Sequence, residues 1–102
     1  MAAVQLAARK REVVGRSSAH AALREGYIPA VVYGRGVEPQ SVEVEEREFS
    51  RVLRHDGQQA TIALTVAGQS PIVCKVQEIQ RRPVTREVRH IDFKIVPEGS
   101  DG

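Results

Sequence analysis

The sequence predicts a small, mostly β domain: a closed barrel of six strands with two short helices inserted between them. Six apolar runs are each short, and most alternate with polar residues as half-buried strands do. The intervening segments are mostly too short for repeated βαβ units, which favours an antiparallel or mixed sheet. The 102 residues include two Tyr, two Phe and no Trp, so aliphatic side chains must supply most of the core. The length fits one domain, which we place at residues 1–97, followed by a polar tail at 98–102.

Six segments have the composition of strands, and the turns between them are recognisable. The predicted strands are residues 4–8, 30–33, 41–45, 62–66, 72–79 and 88–96. Gly68 lies in a short polar turn between the fourth and fifth segments, as in a hairpin. Pro83 interrupts the chain before the last strand, because proline cannot donate to a strand ladder.

Two segments instead have helical signals. Ser17 or Ser18 can cap the run AHAALRE, and Gly26 closes it as a helical C-cap would. Apolar residues at 49–53 recur at helical spacing and predict a second short helix that ends before His55. Arginines at positions 47, 51 and 54 share another side of that helix, interleaved with glutamates. We interpret them as a solvated face rather than a second nucleic-acid surface.

The charge is polarised along the chain although the formal net charge is only +2. Residues 1–36 and 72–95 are each rich in Lys and Arg, whereas residues 37–71 are acidic. This pattern predicts a polarised surface, with the acidic middle facing away from an anionic partner. The single cysteine, Cys74, lies in an apolar run and is predicted to be a buried thiol. No apolar stretch approaches the roughly 20 residues of a membrane span, and we expect an intracellular, cytoplasmic protein.

The segment QRRPVTREVRHIDF, residues 80–93, is the most informative in the chain. Strict alternation places Ile91 and Phe93 in the core, with Arg89 on the same side. It places His90 and Asp92 on the outer face, with Val88 and Lys94 on that side too. A donor-rich outer strip that follows a basic turn is typical of a surface that reads nucleic acid.

An imidazole and a carboxylate at His90 and Asp92 are also compatible with catalysis or metal binding. A catalytic pair needs a nucleophile, and no Ser, Thr or Cys lies in evident reach. A metal site needs further ligands, and His20 and His55 lie on remote segments. We therefore predict no enzymatic activity, no metal and no cofactor.

Three blocks in order, GYIPAVVYG at 26–34, IQRRP at 79–83 and RHIDF at 89–93, resemble one known family. The chain is similar over residues 4–96 to the bacterial large-subunit ribosomal protein L twenty-five family, whose relatives include the general stress protein Ctc. The resemblance implies a six-stranded barrel that binds 5S rRNA, largely through the minor groove of an irregular internal loop. It also implies a place on the large ribosomal subunit beside other ribosomal proteins, no catalysis, no membrane partner and a monomeric free form.

The resemblance carries over a set of RNA-contacting residues. They are Arg11, Arg16, Arg24, Tyr33, Gln80, Arg81, Arg82, His90 and Asp92. The first helix departs from the family pattern, since the family commonly has SRRLRREG where this chain has AHAALREG. The loss of charge there keeps an alternative open: a ribosome-associated stress factor of the same fold, with weakened RNA binding and a protein-interaction role.

Overall fold

A computed structural model describes residues 3–10, 21–34 and 36–96. The strands are β1 Val4–Lys10, β2 Tyr27–Gly34, β3 Val37–Glu45, β4 Thr61–Val66, β5 Ile72–Arg81 and β6 Val88–Ile95. The first helix, α1, is helical over residues 21–24 of the described range, and α2 spans Glu46–Asp56. The predicted fold, a six-stranded closed barrel with two helices, is confirmed.

The strands close in the order β1-β3-β2-β6-β5-β4, with β4 returning to β1. Two of the six pairings are parallel, β1 with β4 and β2 with β6, and the other four are antiparallel. The sheet is therefore mixed. The functional consequence is that β6 lies between β5 and β2, so residues from three strands share the outer face around it.

The core fills the barrel and extends under α2. Ile91 and Phe93 have no exposed surface, which confirms the inward side of the last strand. Phe49 of α2 packs edge-on against Phe93 with the ring centroids 6.3 Å apart. Cys74 is also fully buried, as predicted, and this burial raises the pKa of its thiol to about 12. A neutral thiol is favoured because an apolar surrounding opposes the thiolate.

The elements begin or end a few residues from the predicted positions. A glycine follows the C-terminal end of each helix. Gly26 has a φ of +88° and its N–H donates to the Leu23 carbonyl at 3.1 Å, so it ends α1 as predicted. The second helix, predicted to end before His55, continues through His55 to Asp56. The N–H of Gly57 then donates to the Leu53 carbonyl at 3.0 Å.

A β-bulge in β6 changes which side chains face outward. Gln80 pairs with His90 but the next residue, Arg81, pairs with Val88, so Arg89 has no partner in the register. Val88 packs against the core and Arg89 is exposed. The prediction from strict alternation, which put Val88 outside and Arg89 inside, is therefore wrong. The bulge inserts one residue, so Arg89 and His90 both lie on the outer side.

No helix in the three described ranges is long and apolar enough to cross a membrane.

Candidate nucleic-acid interface

The outer face of β5 and β6 brings together three of the predicted site residues, and a fourth, Arg81, is exposed at the end of β5 beside them. Gln80 and His90 are opposite each other across the antiparallel pair. Asp92 lies two residues along β6 on the same face, and Arg81 follows Gln80 at the end of β5. We call Gln80, Arg81, His90 and Asp92 the polar strip. Gln80 and Arg81 are exposed, so their amide and guanidinium groups are open to a ligand.

The imidazole of His90 is held against the carboxylate of Asp92. Its Nδ1 lies 3.2 Å from Oδ1 of Asp92, although the contact lacks hydrogen-bond geometry. The Nδ1 atom itself is buried, whereas the His90 side chain as a whole is 31% exposed. The ring therefore offers a ligand its other nitrogen, Nε2. This nitrogen donates or accepts according to the protonation of the ring.

Charge changes in a regular order along the β5–β6 pair. Lys75 is opposite Lys94, and Glu78 is opposite Asp92, with the pair of Val76 and Phe93 between them in the ladder. The positive pair offsets the negative one diagonally. Beyond them come Gln80 and His90, and then the arginines at the hairpin end. Arginine side chains are therefore concentrated at the end of the hairpin.

The hairpin end is a tight turn, residues 82–87, held by backbone hydrogen bonds. The N–H of Arg86 donates to the Arg82 carbonyl at 3.0 Å, and the N–H of Arg82 donates to the Glu87 carbonyl at 2.9 Å. Arg86 has a φ of 66°, a left-handed conformation that costs a non-glycine residue about 1 kcal/mol. Arg81 supports this turn, since its Nη1 donates to the Arg86 carbonyl at 3.2 Å.

The remaining predicted residues are distributed around the strip. Tyr33 of β2 pairs with Lys94 of β6, two residues along from the pair of Val31 with Asp92, and it is half-buried. Arg82 is exposed at the start of the turn, with its Nε 3.7 Å from a carboxylate oxygen of Glu87. Arg24 is exposed at the end of α1, on a different element. Arg11 and Arg16 lie outside the described residues.

Arg89 is the outer-face residue that the sequence reasoning missed. Alternation assigned it to the core side, but an arginine in the core without a partner would be costly. That conflict was the available signal for a bulge, because a single inserted residue restores the guanidinium to solvent.

A second group of charged residues lies on the outer side of β1, β2 and β3. Arg9 donates through Nε to Glu43 at 2.6 Å and through Nη2 to Glu25 at 2.9 Å. Its guanidinium also stacks on the Tyr27 ring, 3.6 Å from the centroid. The hydrogen bonds to Glu25 and Glu43 raise the pKa of Arg9 above its ordinary value. We call Arg9, Glu25, Tyr27 and Glu43 the ion-paired cluster.

The arginines of α2 are exposed, as predicted for a solvated face. Arg51 is paired with Glu48 one turn earlier at 2.6 Å. Across the described ranges, no three His, Cys, Asp or Glu residues are grouped closely enough to hold a metal ion.

Comparison with known proteins agrees with this architecture. The profile of the Ribosomal L25p family matches residues 6–93. The chain belongs to this family. The sequence-based assignment to the L twenty-five family is thereby confirmed.

Three curated relatives carry the name large ribosomal subunit protein bL25. The protein of Roseiflexus castenholzii is 45% identical over 73 residues, covering 72% of this chain and 34% of the relative. That of Herpetosiphon aurantiacus is 36% identical over 93 residues, covering 91% and 46%. That of Mycobacterium bovis is 35% identical over 95 residues, covering 93% and 44%. The chain thus spans less than half the length of these Ribosomal L25p relatives.

Proposed function

We propose that this chain is a structural component of the large ribosomal subunit that binds 5S rRNA through the polar strip. The proposal assigns it no catalytic role. It rests on family membership and on the name shared by the relatives, which are large-subunit ribosomal proteins. It also implies a cytoplasmic, ribosome-associated location, contacts with neighbouring ribosomal proteins and a monomeric free form.

The observation that carries the RNA proposal is the placement of Gln80 opposite His90 on one open strand face. The glutamine amide both donates and accepts, and the imidazole presents Nε2. An RNA minor groove is wide and shallow, and it displays base edges and 2′-hydroxyls. A strand face with these groups can therefore enter it and make several hydrogen bonds at once.

The other residues of the set have complementary roles in the proposal. Arg81 and Arg82 supply guanidinium groups suited to a guanine edge or a phosphate. Tyr33 offers its hydroxyl and ring beside the strip. Asp92 accepts from a base amino group or orients the His90 ring, from which it is separated by 3.2 Å. Arg11, Arg16 and Arg24 add phosphate contacts from the first basic segment.

Binding of purified 5S rRNA to single alanine variants tests this function. Gln80→Ala and His90→Ala should each weaken binding by about 1–3 kcal/mol, or roughly 5- to 150-fold. The same substitution at Gln5, an exposed glutamine on β1, is the matched control and should bind as wild type. Melting temperatures of all variants should stay close to wild type, because these are surface positions.

Two results would contradict the proposal. Equal affinities for wild type, Gln80→Ala and His90→Ala would show that the strip does not contact the RNA. Wild-type binding no tighter to 5S rRNA than to an unrelated folded RNA would remove the 5S assignment and favour the alternative of a ribosome-associated stress factor. Sedimentation with large subunits in moderate salt would then distinguish a ribosome-bound protein from a free one.

A further inference from the structure

We propose that Arg86 and Arg89 form a phosphate-binding site at the end of the β5–β6 hairpin, beside the polar strip. The site would take the RNA sugar–phosphate backbone while the strip takes base edges. This inference rests on the proposed function, since it names a second part of the same RNA surface. Neither arginine belongs to the set that the sequence predicted.

The conformation of Arg86 is the first observation. Its φ of 66° makes it the one non-glycine residue with a positive φ among the described residues. Glycine adopts this conformation without steric cost, whereas an arginine does so with strain. Strained backbone that persists at a surface turn points to a role for the side chain that the turn presents.

The turn is built to keep this conformation. Arg86 is held through both its N–H, which reaches the Arg82 carbonyl, and its carbonyl, which accepts from Nη1 of Arg81 at 3.2 Å. The side chain itself is exposed, and within the described ranges it makes no ion pair. The structure thus fixes the backbone of Arg86 and leaves its guanidinium open.

The bulge at Arg89 is the second, independent observation. Because Val88 packs against the core and His90 lies outside, the inserted residue brings Arg89 to the outer side next to His90. Arg89 is exposed, and it too has no ion pair in the part of the chain that the structure describes. Bulges often re-aim a side chain beside a functional site.

The local charge favours an anion at this end of the hairpin. Residues 81–89 contain four arginines and one acid, Glu87. Glu87 lies 3.7 Å from Nε of Arg82, so it offsets that arginine first. Among the described residues, Arg86 and Arg89 join Arg81 as cations of this end without an ion pair, and planar guanidinium groups match phosphate oxygens in a two-bond geometry. The base-reading strip is immediately adjacent, as backbone and base contacts of one RNA segment require.

Salt-dependent binding of the full chain to 5S rRNA tests the site. Each phosphate contact contributes about 0.7–0.9 to the slope of log affinity against log salt concentration. Arg86→Gly and Arg89→Gln should each reduce the magnitude of the slope by about that amount and weaken binding several-fold at low salt. Arg54→Gln, which removes an exposed charge from α2, is the matched control and should leave the slope unchanged.

Arg86→Gly also separates function from structure. Glycine accommodates a φ of 66°, so the melting temperature should rise or stay unchanged while RNA binding weakens. If the turn has only a structural role, this variant should bind RNA as tightly as wild type. If Arg86→Gly lowers the melting temperature, Arg86→Asn repeats the test, because asparagine tolerates the left-handed conformation.

The outcomes separate a failure of the phosphate site from a failure of the proposed function. If His90→Ala weakens binding but the slopes of Arg86→Gly and Arg89→Gln equal that of wild type, the phosphate site is wrong and the proposed function stands. An equal loss of slope in Arg54→Gln would also overturn the site, since any surface arginine would then serve. If His90→Ala leaves binding unchanged as well, the proposed function and the phosphate site both fail.

Discussion

The ion-paired cluster and the polar strip lie on the outside of the same barrel, but their arginines have different partners. Arg9 is engaged by two carboxylates and by the Tyr27 ring. Among the described residues, Arg81 makes one side-chain hydrogen bond, to a backbone carbonyl at 3.2 Å, and the residue is exposed. The same residue type therefore stabilises the barrel in one place and remains open for a ligand in another.

Burial explains much of this difference. Glu43 is 9% exposed, although it lies on an outward-facing position between β1 and β2. A carboxylate so covered requires a nearby cation, and Arg9 supplies one. The carboxylate of Asp92 is 25% exposed and has an imidazole beside it, so solvent already helps to stabilise it. The side chains of the ion-paired cluster thus satisfy one another, whereas the polar strip is open to solvent.

The largest expected effect comes from the core that supports both surfaces. Phe93→Ala should lower the free energy of unfolding by about 3–5 kcal/mol, because the ring is fully buried and packs on Phe49. Chemical denaturation would measure this loss. His90→Ala, three positions earlier on the outer face, is the control and should change stability by less than about 1 kcal/mol. Similar losses in the two variants would mean that the inward and outward sides of β6 are not distinct.

Arg81→Ala should act on the polar strip alone. We expect a loss of about 1–3 kcal/mol in binding to 5S rRNA, since the guanidinium is placed to reach a base edge or a phosphate. Stability should fall little, because the structure shows one hydrogen bond from this side chain to the turn. Gel-shift titration and thermal melting on the same samples give both values. If the variant loses stability but binds 5S rRNA as tightly as wild type, this assignment is wrong.

Arg9→Ala should give the opposite pattern. The substitution removes a 2.6 Å bond to the buried Glu43 and the stacking on Tyr27, so stability should fall by about 1–2 kcal/mol. Water screens the half-exposed Arg9, which keeps the effect below that of a fully buried pair. RNA affinity measured well below the melting temperature should match wild type. A loss of affinity without a loss of stability would place RNA on the ion-paired cluster instead.

The smallest effect concerns Cys74, a buried residue of β5, the strand that also carries Gln80 and Arg81. Its folded pKa of about 12 exceeds the ordinary value of 9.0, so the thiol contributes stability below pH 9 and this contribution is lost as pH rises toward 12. The unfolding free energy of wild type should fall relative to Cys74→Ala by about 1.4 kcal/mol for each pH unit above 9. Denaturant midpoints at pH 8, 9 and 10 measure the difference. Parallel pH profiles would show that the thiol is not protected from ionisation.

The sequence was sufficient for the fold but only partly for the two surfaces. Periodicity located the six strands and the second helix, and end signals located the first helix. Periodicity also placed Ile91 and Phe93 correctly, because that part of β6 is regular. It failed at Val88 and Arg89, where a bulge breaks the period of two. The insertion depends on pairing with β5, which local alternation does not report.

The role of Arg9 could not be predicted from the sequence, for a different reason. Arg9 belongs to the same basic stretch as Arg11 and Arg16, and the sequence offers no local distinction between them. Its partners Glu25 and Glu43 lie 16 and 34 residues further along the chain. The pairing of β1 with β3 sets Arg9 opposite Glu43, and the pairing of β3 with β2 brings the end of α1 and Glu25 to the same place. The polar strip was easier to find, since Gln80 and His90 belong to a hairpin that is local in sequence.

The parallel pairing of β2 with β6 determines when the proposed RNA surface can form during synthesis. Ala30 pairs with Ile91 and Tyr33 with Lys94. One edge of β2 therefore stays unpaired until β6 has been synthesised. Pairings of such high sequence separation form slowly and late. His90 and Asp92 are on that last strand, so a nascent chain would expose incomplete sheet before it could engage RNA. The chain would therefore become able to join the ribosome when the barrel closes. Chains that lack β6 would be excluded from assembly without a separate control step.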